Sequence, residues 1–261
     1  MQHEPEIINE KYQRLAELEN AERQAVARWK KEIEVAEQRR IYSYLTEKRQ
    51  VKYLVHFTPM ANLQSILRYG ILPRAELESR RLNAITPDTT RYDYQPSYSS
   101  FSISFPNYQM FYNKRSNTNY DYVVLLVDPS IILNTPLASI SYLPHNAASR
   151  YTGNVIDYTG ERAVKDLFKD STIAECRIDR VVLDIPLSYT TNPQAEVFIK
   201  GEIPANYICA VVTERQDQAI KLREDSSSWT SCVKPRIIQD SYYFRARSDY
   251  QFWRSQPEED G

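Results

Sequence analysis

Three short stretches of this 261-residue chain carry side chains able to act on a bound ligand. In His56-Phe57-Thr58, strand alternation sends His56 to one face and Phe57 to the other, so the imidazole can face a cleft while the ring enters the core. Gln194-Ala195-Glu196 places an acid at the head of a second apolar strand, just after a loop bearing Asn192 and Pro193. Asp88-Thr89-Thr90-Arg91-Tyr92-Asp93 sets an arginine in a loop, where its planar fork can clamp a phosphate or a carboxylate. Singly, each has a plain alternative: a satisfied core histidine with Thr58 as a helix cap, a solvated strand end, and a surface ion pair.

Other chemistries are excluded more firmly. With only five glycines the chain has no GxGxxG and no GxxxxGK[ST] loop, and it lacks HExxH and GxSxG as well. Three histidines and three widely spaced cysteines (Cys176, Cys209, Cys232) do not make a metal clip or a disulfide framework. The expectation is no metal and a reducing, cytoplasmic setting. Thirty-three Lys and Arg against 34 Asp and Glu argue against a partner held by bulk positive charge. No apolar run has bilayer-spanning length, and the polar, acidic first ten residues do not read as a signal peptide, so no membrane role is expected.

The elements that must hold these residues follow from periodicity. Residues 1–50 contain no Gly and balance ten basic with ten acidic side chains. Ile8, Tyr12, Leu15, Leu18, Ala25, Trp29, Ile33 and Ala36 draw one stripe along a helix, broken near Glu22 and too irregular for a strict a/d seam. This extension reads either as a helix on its own domain or as one that meets a partner. From Val51 the texture changes to short runs. Strands are expected at 53–57, 101–105, 122–127, 180–185, 195–200 and 207–213, and helices after Thr58-Pro59, between the second and third strands, and at 159–170. Gly70 is expected to stop the first of these helices. The mix, without regular βαβ alternation, predicts an α+β fold.

In order, these motifs resemble the DarT-like ADP-ribosyltransferases, toxins that move ADP-ribose from NAD onto nucleic-acid bases. His56-Phe57-Thr58 with Asn62-Leu63-x-Ser65-Ile66-Leu67-x-x-Gly70-Ile71-Leu72 resembles the opening motif. Ser102-Ile103-Ser104-Phe105-Pro106-Asn107-Tyr108-Gln109-Met110-Phe111-Tyr112 resembles the middle one, and Asn146-Ala147-Ala148-Ser149 and Gln194-Ala195-Glu196-Val197 continue the match. The resemblance spans about residues 51–213 and leaves 1–50 unexplained. It implies an ADP-ribosyltransferase-like fold of two packed, mainly antiparallel sheets with flanking helices. The domains it implies are a helical extension at 1–50, a catalytic domain at 51–255 and a frayed tail at 256–261.

The resemblance also assigns roles. Glu196 is the catalytic acid and Arg91 the loop arginine at the NAD phosphates or the target base. His56, Thr58 and Asn62 hold NAD, and Tyr108 stacks on nicotinamide, with Tyr112 and Phe105 as competitors for that place. Gln194 takes the substrate-orienting position, the loop at 184–193 with Asn192 chooses the target, and Tyr112 and Arg115 meet the nucleic acid. Asn107 stands where most of these toxins carry Arg, which leaves the base open among guanine, thymine and adenine.

The chemistry suits these residue types. Cleaving the nicotinamide–ribose bond gives an oxocarbenium-like centre, and a carboxylate beside the ribose stabilises it, an effect of about 3–4 kcal/mol for such groups. NAD is consumed as a co-substrate, so no Rossmann glycines are required. The target base must be unstacked, which favours single strands, and single-strand grooves pair cations with aromatics. The segment Tyr242-Tyr243-Phe244-Arg245-x-Arg247-x-x-Tyr250-x-Phe252-Trp253-Arg254 fits that pattern or a last strand and helix packed on the core. The resemblance points to single-stranded DNA ahead of RNA or a protein acceptor, to a toxin–antitoxin or phage-defence setting, and to an antitoxin with a macrodomain-type hydrolase or a chaperone link. A catalytically dead, binding-only relative is the alternative of a different class.

Overall fold

A computed structural model describes residues 4–86, 95–146, 154–173, 176–229 and 233–254. The chain opens with one helix, α1 (Glu4–Ser43), closed by a widened turn at Tyr44–Lys48. Residues 11–33 of α1 are all exposed; its last turns pack on the body. There Ile41 and Leu45 are fully buried, and burying two such side chains stabilises by about 1.5–3 kcal/mol each. Buried Gln38 donates to the carbonyls of Ile132 and Thr135, Glu37 accepts from the Glu161 N–H, and Glu34 accepts from the Leu137 N–H. The sequence-defined extension at 1–50 therefore divides near residue 34 into a free arm and a part of the core.

Next come β1 (Leu54–Pro59), α2 (Leu63–Tyr69), α3 (Arg74–Ser79), β2 (Tyr98–Ile103), α4 (Tyr108–Ser116), β3 (Tyr122–Val127) and β4 (Ile140–Leu143). The chain continues through α5 (Gly160–Asp166), β5 (Ser171–Ile173), β6 (Cys176–Ile178), β7 (Glu196–Lys200), β8 (Ile208–Thr213), α6 (Gln216–Asp225), β9 (Arg236–Gln239) and α7 (Tyr250–Arg254). Seven strands join in the order β4-β7-β2-β1-β3-β8-β9, antiparallel except for the parallel pair β8–β9, and β5–β6 form a small separate hairpin. β1 and β2 pair only at Leu54↔Ile103 and Val55↔Ser102. Beyond Val55, β1 continues its ladder with β3 as far as Pro59↔Tyr122, while β2 continues with β7 from Phe101↔Val197 to Tyr98↔Lys200. The sheet thus splits into two halves, β4-β7-β2 and β1-β3-β8-β9, that share a two-residue seam. A core of Leu54, Leu63, Leu67, Phe101, Leu125, Val197 and Val211 fills one side. Phe57, stacked on Phe111 at 4.4 Å, Val55 and Val124 belong to a second cluster.

Three sequence expectations need correction. Thr58 is not a helix cap with Pro59 as the first helical residue: both extend β1 because Thr58↔Val123 and Pro59↔Tyr122 complete its ladder with β3, and Pro59 is instead the N-cap residue of a single 3-10 turn (Met60–Asn62) that leads into α2. The apolar run at 180–185 is no strand but a turn, with Val181 88% and Val182 78% exposed and their N–H groups held by Asp179 Oδ1. The helix expected at 159–170 ends at Asp166, and Thr159 precedes it as N-cap residue without a side-chain bond. Gly70 does end α2, at φ +83°, where a Cβ would come within 2.4 Å of the Ile203 carbonyl oxygen.

Removing residues 1–33 is expected to leave the thermal midpoint of the remaining chain nearly unchanged, since side chains 11–33 are exposed throughout. Removing residues 1–45 is expected to abolish cooperative melting, because it deletes Gln38, Ile41 and Leu45 from the core. Differential scanning calorimetry of the two truncations separates these outcomes.

Candidate active site

The site forms where β1 and β2 part. His56 is the first β1 residue beyond the shared seam, and its Nδ1 lies 2.9 Å from the Ser100 carbonyl of β2. A carbonyl oxygen only accepts, so Nδ1 carries the proton. Burial, the larger effect, lowers the His56 pKa, and the Ser100 bond opposes it. The ring is then neutral near pH 7, with Nε2 as an acceptor. It leans on Phe101, ring centres 5.5 Å apart. The same Ser100 sends its hydroxyl to Glu196 Oε1 at 2.6 Å. One residue of β2 therefore ties the histidine of β1 to the acid of β7. Glu196 begins its strand opposite Leu143 of β4 and is buried, 5% exposed. A buried carboxylate needs such partners, because an uncompensated charge in a poorly solvated site is costly.

Thr58 and Asn62 lie one and two steps further along. Asn62 donates to Thr58 Oγ1 (3.1 Å) and to the Ile85 carbonyl (2.9 Å), and accepts from the Ile85 N–H (2.8 Å). Both its amide protons are engaged, so Asn62 fastens the segment entering residues 87–94 to the end of β1. Arg91 belongs to 87–94 and lies outside the described residues, as do Ala147, Ala148 and Ser149.

The loop before Glu196 is rigidly held. Asn192, 6% exposed, accepts the Gln194 N–H at 2.8 Å and donates Nδ2 to His145 Nδ1 at 3.1 Å. Gln194 thus stands two residues from Glu196 on a braced turn, whereas the Asn192 side chain works within that brace. Arg247 donates to the carbonyls of Thr190 (2.9 Å) and Thr191 (3.2 Å) and, through a two-point pair, to Asp249. Trp253 Nε1 also donates to Asp249 at 2.7 Å. Arg180 adds bonds to Thr191 Oγ1 and the Pro186 carbonyl, and burial followed by the nearby Arg49 and Arg247 charges lowers its pKa to about 10. The C-terminal stretch read as aromatic and basic is therefore, at Arg247 and Trp253, an internal strap on this loop.

Of the other expected binding residues, Tyr108 lies against the braced loop, and Arg115 and Tyr112 line a separate cleft. Tyr108 packs beside Phe105, Tyr189 and Trp253; burial first, then Asp249, pushes its phenol up to about 12. Arg115 is spent on Glu214 (2.6 Å) and the Phe244 carbonyl (2.9 Å), between the Phe111 and Phe244 rings. Glu214 follows β8, four strand positions from β7, about 19 Å at 4.8 Å per strand. Tyr112, 68% exposed, shares with Arg115 and Phe244 a cleft of about 270 Å³ that includes neither His56 nor Glu196.

Sequence reading passed over two residues. Ser100 gave no signal beyond a serine-rich strand. Asn107 was noted only as a departure; it is 2% exposed, caps α4 by accepting the Met110 N–H, and its own N–H donates to Ser102 Oγ. Its Nδ2 and the Ser104 hydroxyl are buried without a partner, and Ser104 holds φ +62°, a strained value for a side-chain-bearing residue. Ser102 and Ser100 alternate on the face that carries the Glu196 contact. Among the described residues no cluster of His, Cys, Asp and Glu has metal-binding geometry, and no helix is long and apolar enough to cross a membrane.

A family model described as "ssDNA thymidine ADP-ribosyltransferase, DarT" matches residues 55–244. Among solved structures, Thermosipho africanus DarTG in complex with ADP-ribose superposes with a TM-score of 0.52 at 17% identity, covering 74% of this chain and 51% of that one. Thermus sp. 2.9 DarT in complex with carba-NAD+ gives 0.51 at 12% identity, covering 75% and 99%. The chain spans about half the length of the Thermosipho protein, and at these identities the likeness is one of fold. No curated protein matches it.

Two outcomes follow from this geometry. Arg247→Met leaves Asp249 buried without its cation and is expected to cost about 3–5 kcal/mol in urea unfolding. Because the His56 pKa is lowered in the folded chain, the unfolded chain takes up the proton first as pH falls below 6.5. The wild type should therefore lose stability between pH 6.5 and its folded pKa by more than His56→Gln does, as read by urea midpoints at pH 7.5 and 5.5.

Proposed function

We propose that this chain, which belongs to the DarT family, cleaves NAD and transfers its ADP-ribose to a base of single-stranded DNA. The observation that carries the reading is Ser100 joining His56 and Glu196 at the mouth of the split sheet, inside a domain whose family is described by that activity. NAD is the co-substrate. The residues present suit it: Glu196 offers an ionisable oxygen pair for a ribose hydroxyl, and neutral His56 offers Nε2 as a second acceptor.

In the transfer step the ribose–nicotinamide C–N bond breaks, its electron pair leaves on nicotinamide, and a bond forms from ribose C1′ to a nitrogen of the base. Glu196 stabilises the developing positive charge on the sugar. Ser100 keeps that carboxylate from rotating away, and the braced loop at 186–195 holds the acceptor in line, where positioning outweighs activation for a weak nucleophile. The proton lost by the base goes to Glu196, while the guanidinium of Arg91, which stays charged, positions the base or the NAD phosphates.

We take the chain for a toxin paired with an antitoxin, either a macrodomain-type hydrolase or a chaperone-linked partner, acting in the cytoplasm in phage defence; the DarTG neighbour supports the pairing. The family description supports thymidine as the acceptor; Asn107 at the middle motif makes guanine and adenine the competitors to test.

The test is labelling with radioactive NAD against dT-, dG- and dA-containing single strands, duplex DNA, RNA and protein. Label on single-stranded DNA, lowered at least a hundredfold by Glu196→Gln and at least tenfold by Ser100→Ala, supports the reading. Label on RNA or protein alone overturns the substrate, and no NAD loss from folded protein overturns the enzyme.

A further inference from the structure

The free arm of α1 is the largest feature that the catalytic reading leaves unused. From residue 11 to 33 it runs about 33 Å at 1.5 Å per residue, exposed on every side. Tyr12 (68%), Leu15 (53%), Val26, Trp29 (61%) and Ile33 present large apolar side chains to solvent. Positions 12, 15, 19, 22, 26, 29 and 33 alternate steps of three and four, a heptad spacing whose apolar side chains are interrupted at 19 and 22. Its only polar members are Glu19 and Glu22, adjacent and at the middle of the arm.

That arrangement is its own complement. We propose that two copies of this chain pair through these arms as an antiparallel two-helix coil, with the dyad between positions 20 and 21. In this register Tyr12 meets the partner's Trp29 and Leu15 meets the partner's Val26, each contact occurring twice, as a two-fold interface requires. Glu19 meets the partner's Glu22 at the dyad, so the four central carboxylates fall in one like-charged layer that weakens the pair and that Arg23 of each copy offsets. At the flanks, Lys11 falls opposite the partner's Glu32 and Leu18 opposite the partner's Ala25. Arg23 sits beside the central acids; within one copy it already lies 3.7 Å from Glu19. The stretch at 23–31 holds Arg23, Arg28, Lys30 and Lys31 and no acid, while Glu17, Glu19 and Glu22 fall before it, a charge order that favours the antiparallel direction.

A parallel pair of the same seam sets Glu19 against the partner's Glu19 and Glu22 against the partner's Glu22, no better than the antiparallel layer, and it brings both bodies to one end, where α1 already packs on 129–135 and 160–166. The antiparallel pair sends the bodies to opposite ends, and the overlap ends at Ile33, where each arm meets its own body. Because the arm lies outside the His56–Glu196 site, this inference stands apart from the catalytic one.

The test uses the full chain. Sedimentation velocity from 1 to 100 μM is expected to show a monomer–dimer equilibrium that Leu15→Glu/Trp29→Glu weakens at least tenfold and Glu22→Leu tightens at least tenfold. Both changes fall on exposed positions, so circular dichroism and melting of the body should match the wild type. Register is read by disulfide trapping: Leu15→Cys/Val26→Cys should give a covalent dimer on oxidation, while either single variant and the wild type should not. A wild type that stays monomeric across the range overturns the proposal, as does an arm that binds only a different protein. Trapping by Leu15→Cys alone overturns the antiparallel register.

Discussion

The parting of β1 and β2 after Val55↔Ser102 is the constraint on which the site depends. A continuous ladder would have paired His56 and Phe57 with β2 and left no opening. Instead, the two halves keep their own partners, and the seam is bridged at Ser100 by side-chain and carbonyl bonds rather than by a ladder. The gap thus becomes a polar, half-sheltered mouth in an otherwise apolar sheet. Low local dielectric strengthens each of these few hydrogen bonds and raises the cost of leaving any of them unmade.

The rest of the chain holds that mouth in shape. Asn62 fastens one loop to the end of β1, and Asn192 with Arg247 fastens another ahead of Glu196. The strap from residue 247 to 253 is costly to bury, since a guanidinium and a carboxylate leave water together. It persists because Asp249 and two loop carbonyls accept nearly every Arg247 donor, and Trp253 donates to the same Asp249 carboxylate. Rigidity at the acceptor loop suits transfer to a base in preference to water, because both compete for the same cation on the sugar.

Much of this was readable from residue order. His56, Thr58, Gln194 and Glu196 were singled out by alternation and by position at strand ends, and strands 122–127 and 196–200 follow directly from apolar runs. The α+β class came from the absence of βαβ spacing. What stayed hidden depends on distance in space. Ser100 is one of several serines in a row, and only the ladder shows that its hydroxyl meets Glu196. Arg247 and Arg115 carry the composition of a nucleic-acid surface, yet acids and carbonyls of the fold claim them, and nothing in a linear pattern announces those partners. The 180–185 run shows the converse: β-forming residues without a neighbouring strand become an exposed turn, because pairing and burial override propensity.

The central claim, that the ribose end of NAD binds where Ser100 joins His56 to Glu196, is tested most directly by a crystal structure with carba-NAD+, whose altered ribose resists cleavage. The account predicts the ribose 2′-hydroxyl within hydrogen-bond distance of Glu196, with His56 Nε2 on the dinucleotide and Nδ1 still on the Ser100 carbonyl. A dinucleotide seated instead in the cleft of Tyr112, Arg115 and Phe244, with Glu196 untouched, would contradict it.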